Sequence, residues 1–89
     1  MIVKFDNTFN KNLSKLIDSH LKLKVYAIIE EMIAAQKLTD ITNIKKMKGY
    51  KTFYRIKLGD YRIGFELINN NTVYLIEFAH RKDIYKTFP

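Results

Sequence analysis

The sequence predicts an α+β domain: a small antiparallel sheet with an N-terminal helical hairpin packed on one face, in the order β-α-α-β-β-β. Three observations predict it. Two stretches between residues 9 and 32 repeat apolar side chains at helical spacing. Three stretches between residues 52 and 79 are dense in aromatic and β-branched residues and are separated by turn residues. Only three glycines and one proline occur in 89 residues, so neither pattern is much interrupted.

The first element is a short strand over Ile2 to Phe5, good strand formers that stop at the polar Asp6-Asn7-Thr8. Phe9, Leu13, Leu16 and Ile17 then fall at i, i+4, i+7 and i+8, one stripe of a first helix with Thr8 placed to cap it. After the corner Asp18-Ser19-His20, Leu21, Val25, Ile28, Ile29 and Met32 repeat the spacing, with Lys22, Lys24, Glu30 and Glu31 on other faces. A joint this short makes the two helices an antiparallel hairpin. Residues 37 to 51 lose the period and read as an ordered basic connector, carrying Lys37, Lys45, Lys46, Lys48 and Lys51 with Ile41, Ile44 and Met47 as anchors. Thr52 to Leu58, Tyr61 to Ile68 and Thr72 to Ala79, joined by Gly59-Asp60 and Asn69-Asn70-Asn71, form a three-stranded antiparallel meander.

Eighty-nine residues suit one domain, because two cores would leave each half too little apolar surface to bury. Hydrophobic residues at 47% and aromatics at 13% are the balance of a folded chain. With no cysteine, disulfides, thiolate metal sites and cysteine nucleophiles are excluded, and stability must come from packing. The opening Met1-Ile-Val-Lys-Phe-Asp lacks a basic segment followed by an apolar run, and no stretch approaches the roughly 18 apolar residues of a membrane span. The expected location is the cytoplasm, with no membrane partner. Sixteen Lys and Arg against nine Asp and Glu give a net charge of +7, a field that draws polyanions or an acidic protein.

Placement of that charge points to chemistry. Along the first meander strand, Tyr54, Ile56 and Leu58 alternate with Phe53, Arg55 and Lys57, so the first set is core and the second outward. A two-residue Gly59-Asp60 loop pairs Leu58 with Tyr61, Lys57 with Arg62, Ile56 with Ile63 and Arg55 with Gly64. Lys57 and Arg62 then face each other, at a cost of up to roughly 1 kcal/mol that an anionic ligand would turn into binding. Gly64 beside Arg55 leaves room for a backbone or base to approach, and a phosphodiester fits. Neutralisation of the pair by Glu66 on the same face is the structural alternative.

The chain closes with Ala79-His80-Arg81-Lys82-Asp83-Ile84-Tyr85-Lys86-Thr87-Phe88-Pro89, gathering a histidine, three cations and a tyrosine. An imidazole can act as acid or base near neutrality, and Arg or Lys beside it can hold a phosphate and stabilise added negative charge. Phe88 reads as a plug closing the domain, and Tyr85 either packs or presents its hydroxyl. Neither a nucleophile elbow nor a glycine-rich phosphate loop occurs, and two histidines sixty residues apart make no metal motif, so no metal or organic cofactor is expected.

The run KKMKGYKTFYRIKLGDYRIGFE, followed by the ending AHRKDIYKTFP, resembles the RelE/ParE superfamily of toxin-antitoxin toxins, in order as well as content. The motifs cover about the C-terminal half, and the upstream hairpin agrees in pattern. The family fold is the same sheet and hairpin, and RelE-type members cleave mRNA in the ribosomal decoding site without a metal, by attack of a ribose 2′-hydroxyl on the adjacent phosphate. The resemblance implies that Arg55 and Lys57 hold or deprotonate the nucleophile region, that Arg62 stabilises the phosphate, that Arg81 assists the leaving group, and that Tyr85 orients or stacks on RNA. His80 stands where some relatives place a histidine serving as general acid or base. Lys45, Lys46, Lys48, Lys51, Lys82 and Lys86 would bind RNA. Arg55 replaces a lysine of some active members, and a guanidinium is a poor base, which leaves that task to Lys57 or His80. ParE-type members share the fold but inhibit DNA gyrase, and a nuclease-inactive nucleic-acid-binding member is a third reading; the basic strand favours RNA cleavage. The resemblance also implies a cognate antitoxin with an acidic segment, and mRNA and the ribosome as targets.

Overall fold

A computed structural model describes residues 1–89. The chain runs β1 (Ile2–Phe5), α1 (Asn7–Ser14), α2 (Ser19–Ala34), a single 3-10 turn (Leu38–Asp40), β2 (Ile44–Lys46), β3 (Phe53–Leu58), β4 (Tyr61–Ile68), β5 (Thr72–His80) and α3 (Ile84–Thr87). One five-stranded sheet has the order β1-β5-β4-β3-β2. The meander is antiparallel as expected, but β1 lies parallel to β5, so the sheet is mixed. The helical hairpin is what permits this, since a parallel neighbour needs a long crossover.

Helices α1 and α2 are each capped by the side chain of the aspartate that precedes them. Asp6, not Thr8, caps α1: its carboxylate accepts the Thr8 N–H at 2.9 Å, which places Thr8 inside the first turn. Asp18 does the same for α2 through the N–H of Leu21. Helix α1 stops at Ser14, short of the stripe drawn through residue 17, so Leu16 reaches the core from the turn while Ile17 is 97% exposed. Phe9, Val25, Met32, Ile56, Ile63, Phe65, Val73 and Leu75 form the buried centre between the hairpin and one face of the sheet. Burial of each of these larger side chains contributes about 1.5–3 kcal/mol.

Besides the 3-10 turn, two elements were not expected. Within the 37–51 connector, Ile44–Lys46 pairs with β3 as an edge strand, anchored by buried Ile41 and tied to α2 where Glu31 accepts the Thr42 N–H at 2.9 Å. The four-residue α3 folds back over the sheet face that the hairpin leaves open. Neither is long enough to show a period. No helix is long and apolar enough to cross a membrane.

Candidate nucleic-acid interface

The β3-β4 hairpin has the register expected from a two-residue turn: Leu58 opposite Tyr61, Lys57 opposite Arg62, Ile56 opposite Ile63 and Arg55 opposite Gly64. Gly59 supplies the left-handed residue of that turn, at φ +59°. Strand alternation therefore sends Arg55, Lys57 and Arg62 to the face away from the helical hairpin, and the edge strand adds Lys45, which stands opposite Arg55.

At the β2 side of this face a cleft of about 210 Å³ is lined by Lys45, Lys46, Met47, Lys48, Arg55 and Tyr85. Four of its six lining residues are cations and none is acidic. The chain forms two ion pairs, Arg81 with Asp60 at 3.8 Å and Lys86 with Asp83 at 3.2 Å, and neither involves a cleft cation, Lys57 or Arg62. Glu66 does not neutralise the Lys57–Arg62 pair; its carboxylate accepts the Thr52 hydroxyl at 2.9 Å. The cations of the face thus stand at neighbouring register positions with no carboxylate paired to them.

A second group gathers at the hairpin turn. Arg62 is half-buried, and its Nη1 donates to the carbonyl oxygens of Gly59 and Tyr61, both at 2.8 Å. Beside it, the backbone N–H of Arg81 donates to the Asp60 carbonyl at 2.8 Å while its guanidinium meets the Asp60 carboxylate. Arg62 is fixed in position while further guanidinium N–H groups remain to donate.

Other sequence-predicted residues fall elsewhere. His80 stands opposite Tyr61, whose ring it meets edge-on at 5.4 Å, whereas Arg62 stands opposite Ala79; His80 is therefore on the other side of the sheet from Arg62. Its Nδ1 accepts the Lys82 N–H at 3.1 Å. Lys51, Lys82 and Lys86 are exposed and do not line the cleft. The open space expected at Gly64 is filled: a Cβ there would come within 2.7 Å of the Phe88 ring, which is 3% exposed. Sequence reading gave Phe88 the role of plug and Gly64 the role of gap without joining them, because 24 residues separate the two. Met47, read as an anchor, is half-buried and also lines the cleft.

The family described as ParE toxin of type II toxin-antitoxin system, parDE, matches residues 3–85, nearly the whole chain. The chain belongs to the RelE/ParE superfamily of toxins. It is 43% identical over 90 residues to Toxin RelE3 of Methanocaldococcus jannaschii, with all of both chains covered. The fold of this RelE/ParE toxin matches the RelB-RelE antitoxin-toxin complex from Methanococcus jannaschii at a TM-score of 0.80 and 40% identity, covering 97% of this chain and 99% of that one. Against the isolated E. coli RelE toxin the TM-score is 0.67 at 22% identity, covering 96% and 90%, a likeness of fold. The toxin carries its basic cleft on the sheet face opposite the α1-α2 hairpin.

Proposed function

We propose that this toxin is a RelE-type endoribonuclease that cleaves mRNA on the ribosome without a metal. The observation that carries the reading is the concentration of Lys45, Lys46, Lys48, Arg55, Lys57 and Arg62 on and beside one cleft with no carboxylate paired to any of them. Uncompensated like charges destabilise a sheet, and a bound phosphodiester removes that cost.

In the proposed reaction the ribose 2′-hydroxyl attacks the adjacent phosphorus. The 2′-oxygen–phosphorus bond forms, the bond to the 5′-oxygen breaks, and the products are a 2′,3′-cyclic phosphate and a 5′-hydroxyl. Positioning and electrostatics carry most of such a transfer. Arg55 and the cleft lysines seat the backbone. Arg62, held by two carbonyls, offers guanidinium N–H groups to the phosphate as negative charge builds. A guanidinium is a poor proton acceptor, and of Lys57 and His80 only Lys57 shares the face of Arg62, so Lys57 is assigned the nucleophile's proton. Arg81, at the same turn, steadies the negative charge on the departing 5′-oxygen, which takes its proton from water, and Tyr85 at the cleft stacks on or orients the RNA. His80 lies on the opposite side of the sheet and is given no part in the step.

The complex of the 40%-identical relative is one of antitoxin with toxin. We infer that this chain likewise has an antitoxin, whose acidic segment meets the +7 surface. The deciding experiment maps mRNA 5′ ends shortly after induction of the wild type and of Arg62→Ala, beside a supercoiling assay with purified gyrase. Ends within reading frames that vanish in the variant support the reading; intact mRNA with inhibited gyrase replaces it with the ParE-type activity.

A further inference from the structure

We propose that Gly64 and Phe88 form a lock that fixes α3 on the sheet and thereby holds Tyr85 over the cleft; the catalytic part of this inference rests on the ribonuclease reading. Phe88 lies on the sheet face opposite the main core and is not part of the core cluster, yet it is only 3% exposed. The absent side chain of Gly64 makes that burial possible, since a Cβ would fall 2.7 Å from three atoms of the ring. Phe53 stands edge-on to the same ring at 5.8 Å and closes the neighbouring space. Glycine in a strand interior weakens the strand, so its presence here is accounted for by the close approach it permits.

The rest of α3 is built around that contact. Ile84, one helical turn before Phe88, is fully buried, and its carbonyl accepts the Phe88 N–H at 2.9 Å. The Thr87 hydroxyl donates to the Glu77 carboxylate at 2.6 Å, and Glu77 is the partner of Gly64 across β4-β5. Tyr85 lies between these attachments, 53% exposed, and lines the cleft with Arg55, which is the partner of Gly64 across β3-β4. One glycine thus receives the ring that holds the helix and stands beside the guanidinium that shares a cleft with the helix's tyrosine. Gly64 and Phe88 are positioning residues, and a chain without the lock keeps its core and charge while losing the placement of Tyr85.

The test compares the wild type with Gly64→Ala, Phe88→Ala, Tyr85→Ala and the double variant Gly64→Ala/Tyr85→Ala. Each is assayed for cleavage of a short mRNA on purified ribosomes and for amide exchange at residue 88. Misplacement by about 1 Å can cost on the order of 100-fold in rate. Gly64→Ala and Phe88→Ala should therefore lower kcat by about 10- to 100-fold with KM within about twofold, and the Phe88 amide should exchange faster in Gly64→Ala. Adding Tyr85→Ala to Gly64→Ala should cost little more than Tyr85→Ala alone. Cleavage at the wild-type rate in both lock variants, or losses that multiply in the double variant, overturns the proposal. If the wild type itself cleaves nothing, the ribonuclease reading falls, and the lock is judged by exchange alone: unchanged exchange in Gly64→Ala overturns it, and faster exchange upholds it. Phe88→Ala adds no side chain and tests the lock even where Gly64→Ala folds poorly.

Discussion

Lys57 and Arg62 stand directly opposite each other on the β3-β4 hairpin, and neither is paired with a carboxylate. Arg62 is held by the carbonyls of Gly59 and Tyr61, so the pair cannot relax by moving Arg62 away without losing those bonds. The arrangement costs stability and, on the proposed function, supplies binding, so the two should separate in one variant. Lys57→Thr, with a neutral β-branched residue, should raise unfolding free energy by up to about 1 kcal/mol while sharply reducing RNA cleavage. Denaturant titration beside a cleavage assay checks this; a variant that is both less stable and fully active contradicts it.

How far this site was legible depended on how local its signals are. The hairpin register followed from Gly59-Asp60 alone, because a two-residue turn fixes every pair beyond it, and with the register came the face shared by Arg55, Lys57 and Arg62. The helical stripes placed Val25 and Met32 in the core for the same reason of short-range period. Strand β2 left no such trace: three residues cannot display alternation, and its pairing of Lys45 with Arg55 is a long-range event. The end of α1 was misplaced because Leu16 packs inward from a turn as well as it would from a helix. The sequence brought His80 close to Arg81 in number, but strand alternation put its side chain across the sheet from Arg62.

Arg55 gives a prediction about salt. A cation that neutralises one phosphate of single-stranded RNA contributes about 0.7 to the slope of log affinity against log salt concentration. Arg55→Ala should lower that slope by about this amount and weaken binding to all sequences alike, because Arg55 meets the backbone in this reading. Binding of an RNA oligonucleotide across a salt series measures it. An unchanged slope would remove Arg55 from the phosphate-contacting set.

His80 separates cleft chemistry from the rim. Its ring meets Tyr61 edge-on, and its Nδ1 is occupied by the Lys82 N–H, which leaves Nε2 as the one ring nitrogen without a hydrogen bond. His80→Ala should therefore reduce cleavage far less than Arg62→Ala, with a pH profile from 6 to 8 parallel to that of the wild type. A loss as large as that of Arg62→Ala, or a profile whose limb near an imidazole pKa disappears, would return the general acid or base to His80.

Asp6 predicts a pH dependence of folding. Its carboxylate accepts the Tyr74 hydroxyl at 2.6 Å and the Thr8 N–H at 2.9 Å, joining β5 to the start of α1. These bonds, the tyrosine's first, hold the Asp6 pKa below its ordinary 3.8, while the same contact and burial raise Tyr74 above its ordinary 10.0. A lowered folded pKa means that the stabilisation from Asp6 is present above about pH 3.8 and is lost as pH falls through the lower folded value. The raised folded pKa of Tyr74 has the opposite sense: its contribution is present below about pH 10.0 and is lost as pH rises through the higher folded value. Asp6→Asn should accordingly melt below the wild type at pH 7, with a gap in Tm that narrows as the medium is acidified past the ordinary aspartate value. Tyr74→Phe should lower Tm at pH 7 and lose less stability than the wild type on the alkaline side. Thermal melts from pH 3 to 11 test both, and a gap between Asp6→Asn and wild type that stays constant down to pH 3 would show that charge on Asp6 contributes nothing to the fold.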